Sequence, residues 1–277
     1  MDTTVSATTP RTFAPRATVI ALLWLLGWTF LVWPRAVRPD RQAWDFGINR
    51  DAAIALRADA PLYASDIDQV RFSSFIGPPS TAFLYLPFSA LPLDRALLIY
   101  RLLISAVFAA GVAVASFAVP AKSRGLSLAV GVAALVLWHP IFTSLVYGQV
   151  DAWIVLALAS AAYFARRSRW FLVGAAIGVA AVLKISPGVA LLYCATNRRR
   201  WPAIAGAAAA GAVAILVTLP FEGLRPWIEF VTRVAPNLAR GTVHLDNQSL
   251  PGFLARNIFY ATADTLGPLS VLTPIDR

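Results

Sequence analysis

The chain has 277 residues, of which 58% are hydrophobic and 14% charged, and its mean hydropathy is +0.65. Soluble domains carry about a quarter charged residues, so a water-soluble globule is excluded, and long Ala/Leu/Val runs instead of alternating ten-residue segments exclude a β-barrel. The net charge of +10 sits in short clusters beside apolar spans, which marks cytoplasmic loops and not a nucleic-acid surface.

Residues 17–34 follow Arg11 and Arg16 and form the first apolar span. No small-residue cleavage site follows, so an uncleaved anchor helix is expected. Residues 35–95 are expected to form an external loop, polar to about 74. Its 75–92 stretch is apolar but carries Pro78, Pro79, Pro87 and Pro92. Each proline removes a backbone donor that lipid cannot replace, so an interfacial or re-entrant helix is predicted there.

Further spans are predicted over 97–119, 126–146, 150–165 and 202–220, with a second external loop over 221–250. Lys122 and Arg124, then Arg166, Arg167 and Arg169, then Arg198, Arg199 and Arg200 lie between spans, whereas ten of the fourteen acids fall in the two external loops. The positive-inside rule therefore places all three clusters in the cytoplasm. One helix over 170–197 would carry the last two clusters to opposite sides. Two half-helices, 170–183 and 187–196, meeting at Lys184-Ile185-Ser186-Pro187, keep them together; a single helix kinked at Pro187 is the alternative. The predicted fold is all-α: a polytopic integral membrane protein of one domain with re-entrant half-helices and external loops. Residues 251–277 make a poor span, so the chain reads as stopping early.

The single cysteine, Cys194, allows no intrachain disulfide, and two histidines with one cysteine make no metal cluster. No glycine-rich phosphate loop follows a strand, so neither a metal nor a cofactor is called for. Polar residues instead gather at one membrane face, where a lipid-linked headgroup would lie. Asp45, between Trp44 and Phe46, is a general-base candidate because partial desolvation raises its basicity, with Asp51 as second choice; a solvated loop acid or helix cap is the plainer reading. Gln149 and Asp151 are candidates for binding sugar hydroxyls. Lys184 is one of two lysines, and a lysine between apolar half-helices points to an anionic partner, a phosphate. His244, Asn247, Gln248 and Ser249 form a weaker polar group in the second external loop.

In this order the segments resemble glycosyltransferase family 87, the polyprenol-phosphate-mannose-dependent mannosyltransferases of the C-type (GT-C) fold. The resemblance rests on Asp45-Phe46 with Ala52-Ala53 and Pro61-Leu62-Tyr63, and on Gly77-Pro78-Pro79 through Leu91-Pro92. It continues through Gly148-Gln149-Val150-Asp151, Leu183-Lys184-Ile185-Ser186-Pro187, Arg198 to Trp201, and Asn247-Gln248-Ser249-Leu250. It implies a multi-pass enzyme of the plasma membrane with an extracytoplasmic active site. The implied partners are a polyprenyl-phosphate sugar donor, with mannose as the expected sugar, and a lipid or glycan acceptor. Asp45 matches the position of the catalytic base. Gly47-Ile48-Asn49 replaces the family's usual hydrophobic-Tyr pair, leaving donor and acceptor identity open, and the early stop reads as a truncated or minimal member. A transporter of a lipid-linked or small solute is one rival, since broken helices with a midplane lysine also mark transport sites, and a non-catalytic truncated family member is the other.

Overall fold

The computed structural model describes Val19 and residues 26–36, 43–63 and 74–239, and every element among them is helical. The all-α expectation holds. Of the first expected span, the described part is helical over Trp28–Val32 and Trp33–Ala36. The polar stretch after it holds helix α1 (Trp44–Arg57), so Asp45 lies in the first turn of a helix and not in a loop. An acid there complements the positive helix end, and Arg57 does the same at the other. Phe46, Ala53 and Leu56, at helical spacing, bury one face of α1.

The proline-rich segment folds as two short helices, α2 (Pro79–Leu84) and α3 (Leu86–Ser89). Pro79 and Pro87 sit in their first turns, where a missing N–H costs nothing, and Pro92 caps the long α4 (Leu93–Phe117). The single span expected over 126–146 is broken. Helices α5 (Arg124–Leu137) and α6 (His139–Tyr147) meet at Trp138 with a bend of 55°, because Pro140 has no N–H for a continuous ladder and its ring would strike the preceding turn. Helix α7 (Asp151–Ala165) follows, then α8 (Trp170–Leu183), a 3-10 turn (Ser186–Val189), α9 (Ala190–Ala195) and α10 (Pro202–Glu222). The segment expected as a second external loop is helical as far as described, through α11 (Arg225–Glu229), a π turn (Phe230–Val234) and α12 (Ala235–Ala239). Helix α4 and the Arg198–Phe221 stretch that takes in most of α10 are long and apolar enough to cross a membrane, and the bent α5–α6 pair makes a third span if taken as one.

Helix α4 packs on α7, α7 on α8, and α8 on α10. The last contact is the tightest. A Cβ at Gly174 would lie 1.7 Å from the carbonyl oxygen of Ala203, one at Gly178 2.8 Å from the Ala210 methyl, and one at Gly206 2.0 Å from the carbonyl oxygen of Phe171. Glycines four apart on α8 thus let two backbones touch, the small-residue packing that holds helices together where lipid removes the hydrophobic drive. Only 11% of the apolar window in α10 is buried, against 39% in α4, so α10 lies at the periphery with Leu216 and Val213 facing outward.

Between α8 and α9 the helix breaks at Lys184, whose backbone is extended. Ser80 and Thr81, at the start of α2, donate their hydroxyls to the Val182 and Leu183 carbonyls, the second at 2.8 Å. The carbonyls left over at the end of α8 are thereby satisfied inside protein, the condition for irregular backbone at membrane depth. The chain then runs back along α8, so that the Arg200 guanidinium lies 5.3 Å from the centre of the Trp170 ring at the helix's other end.

Candidate active site

A cavity of about 810 Å³ opens where α1, the α2 entry, the α6–α7 junction, the α8 break and the α12 region meet. Asp45, Asn49, Gln149, Asp151 and Lys184 supply its polar wall, and Ile48, Ile76, Phe230 and Leu238 an apolar one. Four residues singled out in the sequence, 139 positions apart at the extremes (184 minus 45), share this wall.

They form a continuous chain. Gln149 donates its Nε2 to Asp45 Oδ2 at 2.5 Å. The Ser144 hydroxyl has one proton and two acceptors, Asp151 Oδ2 at 2.7 Å and Gln149 Oε1 at 3.2 Å. Lys184 Nζ lies 3.3 Å from Asp151 Oδ1. The cation at the break is therefore compensated by Asp151 before any ligand arrives. Burial raises the Asp45 carboxyl above its ordinary pKa; the Gln149 hydrogen bond and the Lys184 charge pull it back, and Asp151 adds to the rise. A carboxylate that is open to a cavity, oriented by an amide and made more basic by desolvation has the properties of a general base.

The surroundings hold this geometry in place. Phe46, fully buried among Tyr85, Phe88 and Tyr100, anchors the turn that carries Asp45. Gly148 ends α6 in the left-handed region at φ 69°, and its place for a Cβ is 2.6 Å from Phe46 Cβ. Tyr85 donates to the Gly148 carbonyl at 2.9 Å, and Tyr100 donates to Tyr85 Oη at 2.7 Å with the Gln149 carbonyl as a second acceptor at 3.2 Å. Arg101, 4% exposed on α4, donates to the Leu145 and Val146 carbonyls at 3.1 and 2.7 Å. A cation at the negative end of α6 satisfies carbonyls that the Gly148 turn leaves open.

Asp51 is placed elsewhere. Six residues from Asp45 on the same helix, it is turned some 240° around the axis; its side chain is 77% exposed, and it lies 3.9 Å from Arg50. It does not line the cavity. His244, Asn247, Gln248 and Ser249 lie outside the described residues. Among the described residues no group of three His, Cys, Asp or Glu could hold a metal. Ser144, Tyr85, Tyr100 and Arg101 were not singled out in the sequence; the signal for Arg101 was a charge inside the apolar 97–119 run.

No solved structure matches the chain. It is 32% identical over 200 residues to the polyprenol-phosphate-mannose-dependent alpha-(1-2)-phosphatidylinositol pentamannoside mannosyltransferase of Mycolicibacterium smegmatis; the match takes in 71% of this chain and 46% of the relative, so the chain spans about half that protein's length. The family model for glycosyltransferase family 87 matches residues 75–273. Gln149, Asp151 and Lys184 fall inside the matched region and Asp45 before it. With most of its length matched, the chain belongs to glycosyltransferase family 87.

Proposed function

We propose that the protein transfers a sugar, mannose, from a polyprenyl-phosphate donor to a hydroxyl of a lipid or glycan acceptor, at the extracytoplasmic face of the plasma membrane. The observation that carries this reading is Asp45: a carboxylate of raised basicity, oriented by Gln149, on the polar wall of a cavity whose other wall is apolar. The donor class is that of the mycobacterial relative. Asp45 takes the proton of the acceptor hydroxyl as that oxygen bonds to the anomeric carbon. The bond from that carbon to the phosphate oxygen breaks on the opposite face, and its electron pair leaves with the polyprenyl phosphate. Direct displacement inverts the anomeric configuration.

The leaving phosphate needs cations more than an acid. Lys184, exposed on the cavity wall and paired with the Asp151 carboxylate, exchanges that partner for the donor phosphate. Gln149 and Asp151 meet sugar hydroxyls, His244 joins Lys184 at the leaving phosphate, and Asn247, Gln248 and Ser249 add further substrate contacts. Purified protein in vesicles is expected to move label from polyprenyl-phosphate-mannose to a lipid acceptor; uptake of solute with no transfer would favour the transporter reading.

Lys184→Met keeps length and apolarity and deletes the charge. Hydrogen bonds to charged groups contribute about 1.5–3 kcal/mol, so the donor KM is expected to rise roughly ten- to a hundredfold while kcat changes less. An unchanged KM in a folded variant makes the lysine structural. Sidedness has its own test: Arg166→Cys and Arg199→Cys, in a Cys194→Ala background, should both resist an impermeant thiol reagent in intact cells. Labelling of one alone would overturn the half-helix topology.

A further inference from the structure

Far from the cavity, at the Trp170 end of α8, the fold gathers an arginine cluster that the proposed chemistry leaves unused. Arg166, Arg167 and Arg169 lead into α8, and Arg198, Arg199 and Arg200 lie between α9 and α10. The reversal at Lys184 brings the two runs together: Arg200 lies 5.3 Å from the Trp170 ring centre and 4.1 Å from that of Tyr193, and Arg198 lies 5.8 Å from that of Trp201. From residue 166 to 201 the sequence has no acid. The ion pairs Arg50–Asp51, Lys184–Asp151 and Arg225–Glu229 lie elsewhere. Among the described residues Arg166, Arg167, Arg198 and Arg200 meet π faces or carbonyls, and none of the six meets a carboxylate.

What surrounds the cluster selects its partner. Tyr193, Leu192 and Val189 on the α9 limb, Phe171 on α8 and Ile204 on α10 are exposed apolar or amphipathic side chains that continue directly from the basic end. The surface is therefore cationic at its rim and apolar immediately inward, with Trp201 and Tyr193 at the boundary, where indole and phenol rings sit best. A ligand matching both parts carries a phosphate and acyl chains. Nucleic acid would match the charge and leave the apolar part uncovered.

We propose that the Arg198-Arg199-Arg200 turn, with Trp170 and Tyr193, is a binding site for the headgroup of an acidic phospholipid whose acyl chains lie along α9 and α10. Guanidinium groups suit it because their planar donors match phosphate oxygens while stacking on aromatic faces. Arg200, placed against both Trp170 and Tyr193, is pre-set for that task. The site is separate from the sugar-transfer chemistry, because the length of α8, 14 residues, puts about 21 Å between it and Lys184.

The test uses the full-length protein in neutral detergent with equimolar phosphatidylglycerol and phosphatidylcholine of matched chains, and native mass spectrometry to count retained lipid. Wild type should retain phosphatidylglycerol preferentially. Each arginine near an anionic headgroup is worth about fivefold, so Arg198→Gln/Arg199→Gln/Arg200→Gln is expected to lose that preference by on the order of a hundredfold. Arg225→Gln should keep it. The double variant Arg198→Gln/Arg199→Gln, which spares the stacked Arg200, should lose part of it and guards against a folding defect in the triple. Equal retention of the two lipids by wild type, or an unchanged preference in a folded triple variant, overturns the site. Competition by soluble glycerol phosphate as effective as by the lipid would also overturn it, since the acyl chains would then contribute nothing.

Discussion

Asp45→Asn is expected to lower sugar transfer by about a hundred- to ten-thousandfold, the usual contribution of a general base, with donor binding largely retained. The substitution keeps the shape of the side chain and leaves an oxygen to accept from Gln149 Nε2, but the amide cannot take the acceptor's proton. Wild-type transfer should fall on the acid side at a pH above the ordinary carboxylate range, because burial raises the Asp45 pKa, and the residual activity of the variant should lack that limb. The same shift acts on stability. A carboxyl whose pKa is higher folded than unfolded stabilises the protein below its unfolded value, and the gain is lost as pH rises through the folded one. At neutral pH, Asp45→Asn should therefore melt no lower than wild type while being nearly inactive. Asp51→Asn, on the outer face of α1, should do little. Near-normal turnover in Asp45→Asn would show that another group takes the proton.

Gly148→Ala should damage fold and activity together. The residue sits at φ 69° and a methyl there would meet Phe46 Cβ at 2.6 Å. A left-handed non-glycine residue costs roughly 1–2 kcal/mol, and forcing a methyl into a packed site a further 1–3 kcal/mol or so. A lower melting temperature in detergent is expected, with transfer reduced beyond what the melting loss explains, because the next residue is Gln149. Gly125→Ala, on α5 with nothing within 4 Å of the added carbon, should be neutral or slightly stabilising, alanine being the better helix former. If both variants melt like wild type, the Gly148 turn is not the constraint that aims Gln149.

The contrast between Asp45 and Asp51 shows how far the sequence could be read. The flanking Trp44 and Phe46 rank Asp45 above Asp51 in the sequence, but what separates them physically is the helix phase of α1, which turns one inward and the other to solvent. Gln149, Asp151 and Lys184 were legible because polar groups beside apolar runs are costly and stand out. Tyr85, Tyr100 and Ser144 were not, because tyrosine and serine are unremarkable in such runs and their task is to hold backbone carbonyls and carboxylates supplied from far along the chain. The bend in 126–146 was written in Pro140, but an apolar run of spanning length outweighs one proline when hydropathy alone is weighed. The half-helix break was marked by Lys184-Ile185-Ser186-Pro187; that α2 hydroxyls would close its open carbonyls has no signature in local sequence.

The limb that ends at Lys184 is short for a bilayer. Fourteen residues of α8 rise about 21 Å, and the hydrocarbon core is about 30 Å thick. On the proposed topology, with Trp170 and its arginines at one interface and α8 along the bilayer normal, Lys184 stops roughly 9 Å beneath the opposite one. On the proposed reading, chemistry at that depth draws both the donor phosphate and the acceptor hydroxyl below the headgroup level, and the polar wall of the recess replaces part of the water that each gives up. A spin label at Ser186 should accordingly report intermediate depth, accessible to both dissolved oxygen and a water-soluble nickel chelate; exposure to the chelate equal to that of a surface loop would place the recess at the membrane surface instead.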